Sequence, residues 1–81
     1  MREGTTFTLE ELREAAVDAV KASEKAQSDV ARELGVHRSS VSRALNEAGE
    51  RYQGLQRRII ANVTPYEIER QLLFKARRKD T

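Results

Sequence analysis

The chain has no cysteine and a single histidine. Those two shortages remove disulfide staples, thiolate zinc sites and cysteine nucleophiles together, and they leave His37 without a companion for holding a metal. No metal, cofactor or small-molecule ligand is expected. Long apolar runs are missing as well. The opening MREGTTFTLEELREAA lacks the apolar stretch of about 7–15 residues found in a secretory leader, and nothing later approaches the ~20 apolar residues of a membrane span. The reading is a soluble, cytoplasmic chain with no membrane partner. Also lacking is any convergent set of acid, base and nucleophile, so the chain is not expected to be an enzyme.

What is there is charge and short amphipathic phrases. The 81 residues carry 15 Lys and Arg against 13 Asp and Glu, a net charge of only +2. The distribution is uneven: residues 1–36 hold five basic against eight acidic side chains (−3), residues 37–50 two against two (0), and residues 51–81 eight against three (+5). A basic second half suits a polyanion, and its plain rival is a solvated charged face. A chain this short buries only about 60–65% of the surface its unfolded form exposes, so its own core is thin and a partner chain would help.

Along the chain the spacing predicts a mainly α fold of four to five helices. Residues 1–6 carry little apolar content and receive no role. Thr8-Leu9-Glu10-Glu11 fits a capping box, with Phe7 and Leu12 spaced as its hydrophobic staple. From there Leu9, Leu12, Ala16, Ala19 and Val20 make one apolar stripe to about Ala22. A second helix of about two turns runs from Gln27 to Leu34, with Val30, Ala31 and Leu34 inward, and Gly35 stops it. A third spans Arg38 to about Ala48 with Val41, Ala44, Leu45 and Ala48 inward, ended by Gly49 as Gly35 ended the second. A fourth, Tyr52 to about Asn62, turns Leu55, Ile59, Ile60 and Val63 inward and Gln56, Arg57 and Arg58 outward.

The segment 65–78 supports two readings. Thr64-Pro65-Tyr66-Glu67 is a second capping-box candidate, followed by good helix formers. Yet Tyr66, Ile68, Leu72, Phe74 and Ala76 lie at even spacing, broken at that parity only by Arg70, which is how a half-buried strand alternates. Helix and dimerising β-strand both stay open.

Residues 27–48 supply what two tightly crossed helices need: a short first helix with small Ala31 at the crossing, Gly35 in the turn, Val36 as a plug, and Val41, Ala44 and Leu45 as anchors. His37, Arg38, Ser39, Ser42, Arg43 and Asn46 are left facing out. This run resembles the helix-turn-helix of phage repressor and Cro-like DNA-binding proteins, and SSVSRALNEAG resembles the recognition helix of the lactose-repressor family. The resemblance covers about a quarter of the chain. It implies that helix 38–48 enters the major groove of double-stranded DNA with its N-terminal residues at base edges. Arg38 and Arg43 can each fork onto guanine O6 and N7, and Asn46 can serve adenine. His37, Ser39 and Ser42 join them as base-contacting candidates. Gln27 and Ser28, opening the first helix of the motif, suit a phosphate, as does the short Ser40. Arg57 and Arg58, with Lys75, Arg77, Arg78 and Lys79 at the tail, are further phosphate or minor-groove candidates.

Tyr52, Leu55, Ile59, Ile60, Tyr66, Ile68, Leu72, Leu73 and Phe74 are more apolar residues than a monomer of this size readily covers. A homodimer built by the 50–81 segment follows. Its two recognition helices would stand about 34–36 Å apart and read a pseudo-palindromic operator. A strand at 65–78 would join the copies by antiparallel pairing resembling that of Cro; a helix would join them in a bundle. The chain thus reads as one DNA-binding domain, 1–81, and as a transcriptional regulator of repressor type, bacterial or phage-encoded and nucleoid-associated. Two other readings stand beside it: a protein–protein docking module, and a small recombination or nucleoid accessory factor.

Overall fold

A computed structural model describes residues 1–72, 74 and 76–79. Four helices follow one another: α1 (Leu9–Ser23), α2 (Gln27–Leu34), α3 (Arg38–Asn46) and α4 (Glu50–Val63). The fold is mainly α, and no strand occurs among the described residues. No helix among them is long and apolar enough to cross a membrane.

α1 starts where its sequence says it should. Glu11 N–H donates to Thr8 Oγ1 (3.1 Å) and Thr8 N–H to Glu11 Oε1 (2.9 Å), so both halves of the capping box are made. Phe7 packs against the core to which Leu12 belongs. Because Glu11 accepts the Thr8 backbone N–H, and its hydroxyl also lies close, its carboxyl is held below the ordinary glutamate value. Leu12, Ala16, Ala19 and Val20 are buried, while Leu9 is 40% exposed rather than inward. It lies in the first turn and borders the open cleft between the N-terminal segment, α4 and residues 67–72.

One core joins all four helices. Val30 and Ala31 from α2, Val41, Ala44 and Leu45 from α3, and Ile59 and Ile60 from α4 close on the α1 stripe. α1 and α4 share the broadest contact and form the platform on which the α2–α3 pair sits. Between α2 and α3 lie only Gly35, Val36 and His37. Gly35 takes the left-handed conformation (φ 71°, ψ 32°), where a side chain would be strained. Its N–H donates to Arg32 O (3.3 Å) and that of Val36 to Ala31 O (3.0 Å), the paired bonds of a Schellman motif.

Three further expectations need correction. The third helix ends at Asn46, not Ala48: Glu47 is extended (φ −127°, ψ 124°), and Ala48 is exposed. Gly49 therefore does not end α3. It opens α4 at φ 128°, ψ 172°, a backbone region essentially reserved for glycine, and α4 begins two residues before Tyr52. Gln56, expected outside, is fully buried.

The third correction concerns 65–78, which is neither helix nor strand among the described residues; Leu73 and Lys75 lie outside them. The Thr64 hydroxyl that would have capped a fifth helix donates instead to Ile60 O (2.6 Å) and accepts the Tyr66 N–H (3.1 Å), closing α4. Tyr66 and Ile68 are half-buried, Ile68 against the core, and Arg70 reaches Glu50 (3.3 Å). Beyond that point Leu72 and Phe74 are 79% and 90% exposed. Past Ile68 neither the helical nor the alternating pattern finds a surface to bury against among the described residues. The Cα radius of gyration, 14.7 Å, exceeds the roughly 12 Å of a compact chain of this length.

Candidate nucleic-acid interface

α3 has two faces of opposite character. Val41, Ala44 and Leu45 turn into the core, and no acidic residue occurs from Arg38 to Asn46. On the other side His37, Arg38, Ser39, Arg43 and Asn46 are exposed, with Ser40 and Ser42 half-buried. All six residues expected at base edges therefore lie at the turn and along the solvent side of one helix.

Charge pairing separates the two arginines of this face from several others. Arg13 is bound by Glu10 (2.7 Å), Arg32 by Asp29 (3.1 Å), Arg70 by Glu50, and Lys25 by Glu33 (2.7 Å). Among the described residues, Arg38 and Arg43 have no carboxylate within 4.0 Å. Their guanidinium donors are available to an outside acceptor without first breaking an ion pair. Asn46 differs: its Nδ2 donates back to Ser42 O (2.8 Å), so its amide must rotate before it can serve a base edge.

The helix ends on this side are open at the N-terminus. His37 precedes α3 and Ala26 precedes α2 as N-cap residues, and neither supplies a side-chain cap to the first turn. At α2 only the reverse half of a box is made, Ala26 N–H to Asp29 Oδ2 (3.1 Å). The first amides to donate to a backbone carbonyl are those of Asp29, to Ala26 O, and Ser40, to His37 O. Gln27 and Ser28, half-buried and exposed respectively, thus sit where free amides and the positive helix end meet solvent. α4 also lacks a side-chain cap, so an open N-terminus alone does not mark a site.

The C-termini of α2 and α3 are held differently. Arg58 Nη2 donates to Leu34 O (2.8 Å) at the end of α2. Arg13 Nη1 donates to Leu45 O (3.1 Å), and Gln56 Nε2 to Ala44 O (2.8 Å) and Glu47 O (2.9 Å), at the end of α3. Arg58, expected at a phosphate, is exposed but spends one N–H inside the protein; Arg57 is half-buried on the same helix. Gln56 was missed by sequence reasoning, although a signal existed. Positions 52, 55, 56, 59, 60 and 63 form one helical stripe in which Gln56 is the polar member. Of the basic tail, Arg77, Arg78 and Lys79 are exposed, and Lys75 lies outside the described residues.

Comparison with protein-family models, with curated proteins and with solved structures gave no match to this chain.

Proposed function

We propose that this protein is a sequence-specific, double-stranded DNA-binding transcriptional regulator of the cytoplasm that inserts α3 into the major groove and acts as a dimer. The observation that carries the reading is the exposed face of α3: two arginines without carboxylate partners, flanked by short hydroxyls, on a helix joined to α2 by three residues. A helix of this diameter fits the major groove, and serines let its backbone come close to the bases. Arg38 and Arg43 then supply bidentate donors to guanine. Gln27, Ser28 and Ser40 bind phosphates at the helix starts and fix register without reading sequence. Arg57 and Arg58, with the tail cations, add non-specific attraction. Leu72 and Phe74, exposed on a segment that follows the helical platform, supply the dimer contact that a two-fold operator requires.

Titration of duplexes selected from a randomised pool, at several salt concentrations, tests this. The expected result is a steep salt slope, protection of paired half-sites, and a loss of about 1–3 kcal/mol in binding with relaxed base preference for Arg43→Ala and Arg38→Ala. Absence of duplex binding even at low salt would overturn the reading in favour of a protein-docking module.

A further inference from the structure

We infer that Gln56 and Arg13 are positioning residues for sequence readout, fixing the tilt of α3 by bonding its last carbonyls from two different helices. The inference rests on the DNA-binding reading for its functional consequence, but its structural part stands alone.

A helix leaves its last four carbonyls without internal partners, and they are usually met by a following glycine turn or by water. α3 uses neither glycine nor a tight turn. After Arg43 O accepts the Glu47 N–H (2.9 Å), Ala44 O is taken by Gln56 and Leu45 O by Arg13, while Glu47 O returns to Gln56. One donor comes from α1 and the other from α4. The end of α3 is therefore tied to both helices of the platform, and rotation of α3 about its inner contacts would lengthen at least one of these bonds.

The chemistry of position 56 points the same way. Every other member of its stripe is apolar or aromatic, and leucine or methionine there would complete the packing. Glutamine is fully buried instead, and among the described residues its Oε1 has no partner, a destabilising arrangement in a protein interior. Turning the amide over would not help, because the oxygen would then face two carbonyls. The amide is oriented by α3, and the orphan oxygen is tolerated for the sake of the two bonds its nitrogen makes. Arg13 is similarly committed: Glu10 holds one edge of its guanidinium at Nε and Nη2, which aims Nη1 at Leu45 O.

Two of the three inner residues of α3, Val41 and Ala44, are small, so the ties at its end add to the grip of Leu45 against rolling of the helix. Misplacing a bidentate arginine disrupts base readout while leaving general attraction to phosphate intact.

Two full-length variants test the inference. Gln56→Leu keeps the volume and removes both donors; Arg13→Met keeps the stem on a half-buried surface position and preserves the fold should Gln56→Leu lose it. The duplex selected by the wild type is compared with poly(dI-dC), and amide chemical shifts of α3 are recorded without DNA. Each folded variant is expected to lose roughly tenfold or more of the preference for the selected duplex over poly(dI-dC), a loss of the size of one bidentate contact, and to shift the amides of residues 44–48. A purely structural role would lower both affinities together. An unchanged preference in folded Arg13→Met or Gln56→Leu overturns the inference. If the wild type binds no duplex, the DNA reading fails on its own, and unmoved α3 amides in Arg13→Met would then overturn the positioning role.

Discussion

The helical body, residues 9–63, and the segment that follows it are built from similar residues and end differently. Ile59 and Ile60 are fully buried between helices, whereas Leu72 and Phe74 stand in solvent. Both stretches mix apolar and charged side chains. In α4 the apolar positions keep a single helical period, and three other helices present surfaces at that period. After Thr64 two periods compete, and among the described apolar residues there Ile68 packs against the core and Tyr66 is half-buried. An apolar pattern becomes structure only where something exists to bury it, and for Leu72 and Phe74 a second copy of the chain is our proposed cover.

Truncating one side chain in each region should give the widest separation. Ile59→Ala is expected to cost about 2–5 kcal/mol, since it removes the side chain beyond Cβ at a site with no solvent access. For a domain of this size that approaches the whole stability. Phe74→Ala in dilute protein should stay within about 0.5 kcal/mol, as surface changes do. Urea unfolding monitored by circular dichroism measures both. Equal losses would mean that the tail belongs to the folded core, and the contrast drawn here would collapse. In sedimentation equilibrium Phe74→Asp should weaken self-association while leaving the monomer folded.

The same contrast explains how much was legible in the sequence. The C-terminal end of α2 was readable to the residue because Gly35 supplies a chemically distinct stop. The Thr8–Glu11 box was readable because it is local, closing within one turn. Gln56 was not read, since its partners Ala44 O and Glu47 O are backbone atoms 12 and 9 residues away that no side-chain pattern announces. The end of α3 was misread for the same reason: Gly49 looked like a stop, but the termination is made by Arg13 and Gln56. At 65–78 the sequence carried two valid local signals, and no local signal can say whether a partner surface will be present. The outward set His37 to Asn46 was legible as a face, because helical spacing and burial are tied; its service to DNA is a proposal.

A smaller effect sharpens the body side. Gly54 lies inside α4, and a β-carbon added there meets nothing within 4 Å. Gly54→Ala should therefore stabilise by about 0.4–1 kcal/mol, by restricting the unfolded chain and improving helix propensity. The urea midpoint should rise with an unchanged slope. A fall would show that α4 is more tightly approached at this point than its surroundings indicate.

The smallest expected effect is the response to acid, and it too is confined to the body. Glu33 is held below the ordinary glutamate value of 4.5, first by its hydrogen bond from Lys25, and Glu11 likewise by its bonds from Thr8. A carboxyl with a depressed folded value binds fewer protons folded than unfolded across the interval between the two values. Its contribution is complete above about 4.5 and is lost as pH falls through the folded value. Both groups are exposed, so screening keeps the effect small and salt reduces it further. Midpoints of urea unfolding for the wild type and the Glu11→Gln, Glu33→Gln double variant should differ most at neutral pH and converge on acidification. Parallel curves over the whole range would show that neither the α1 cap nor the Lys25 pair draws stability from its charge.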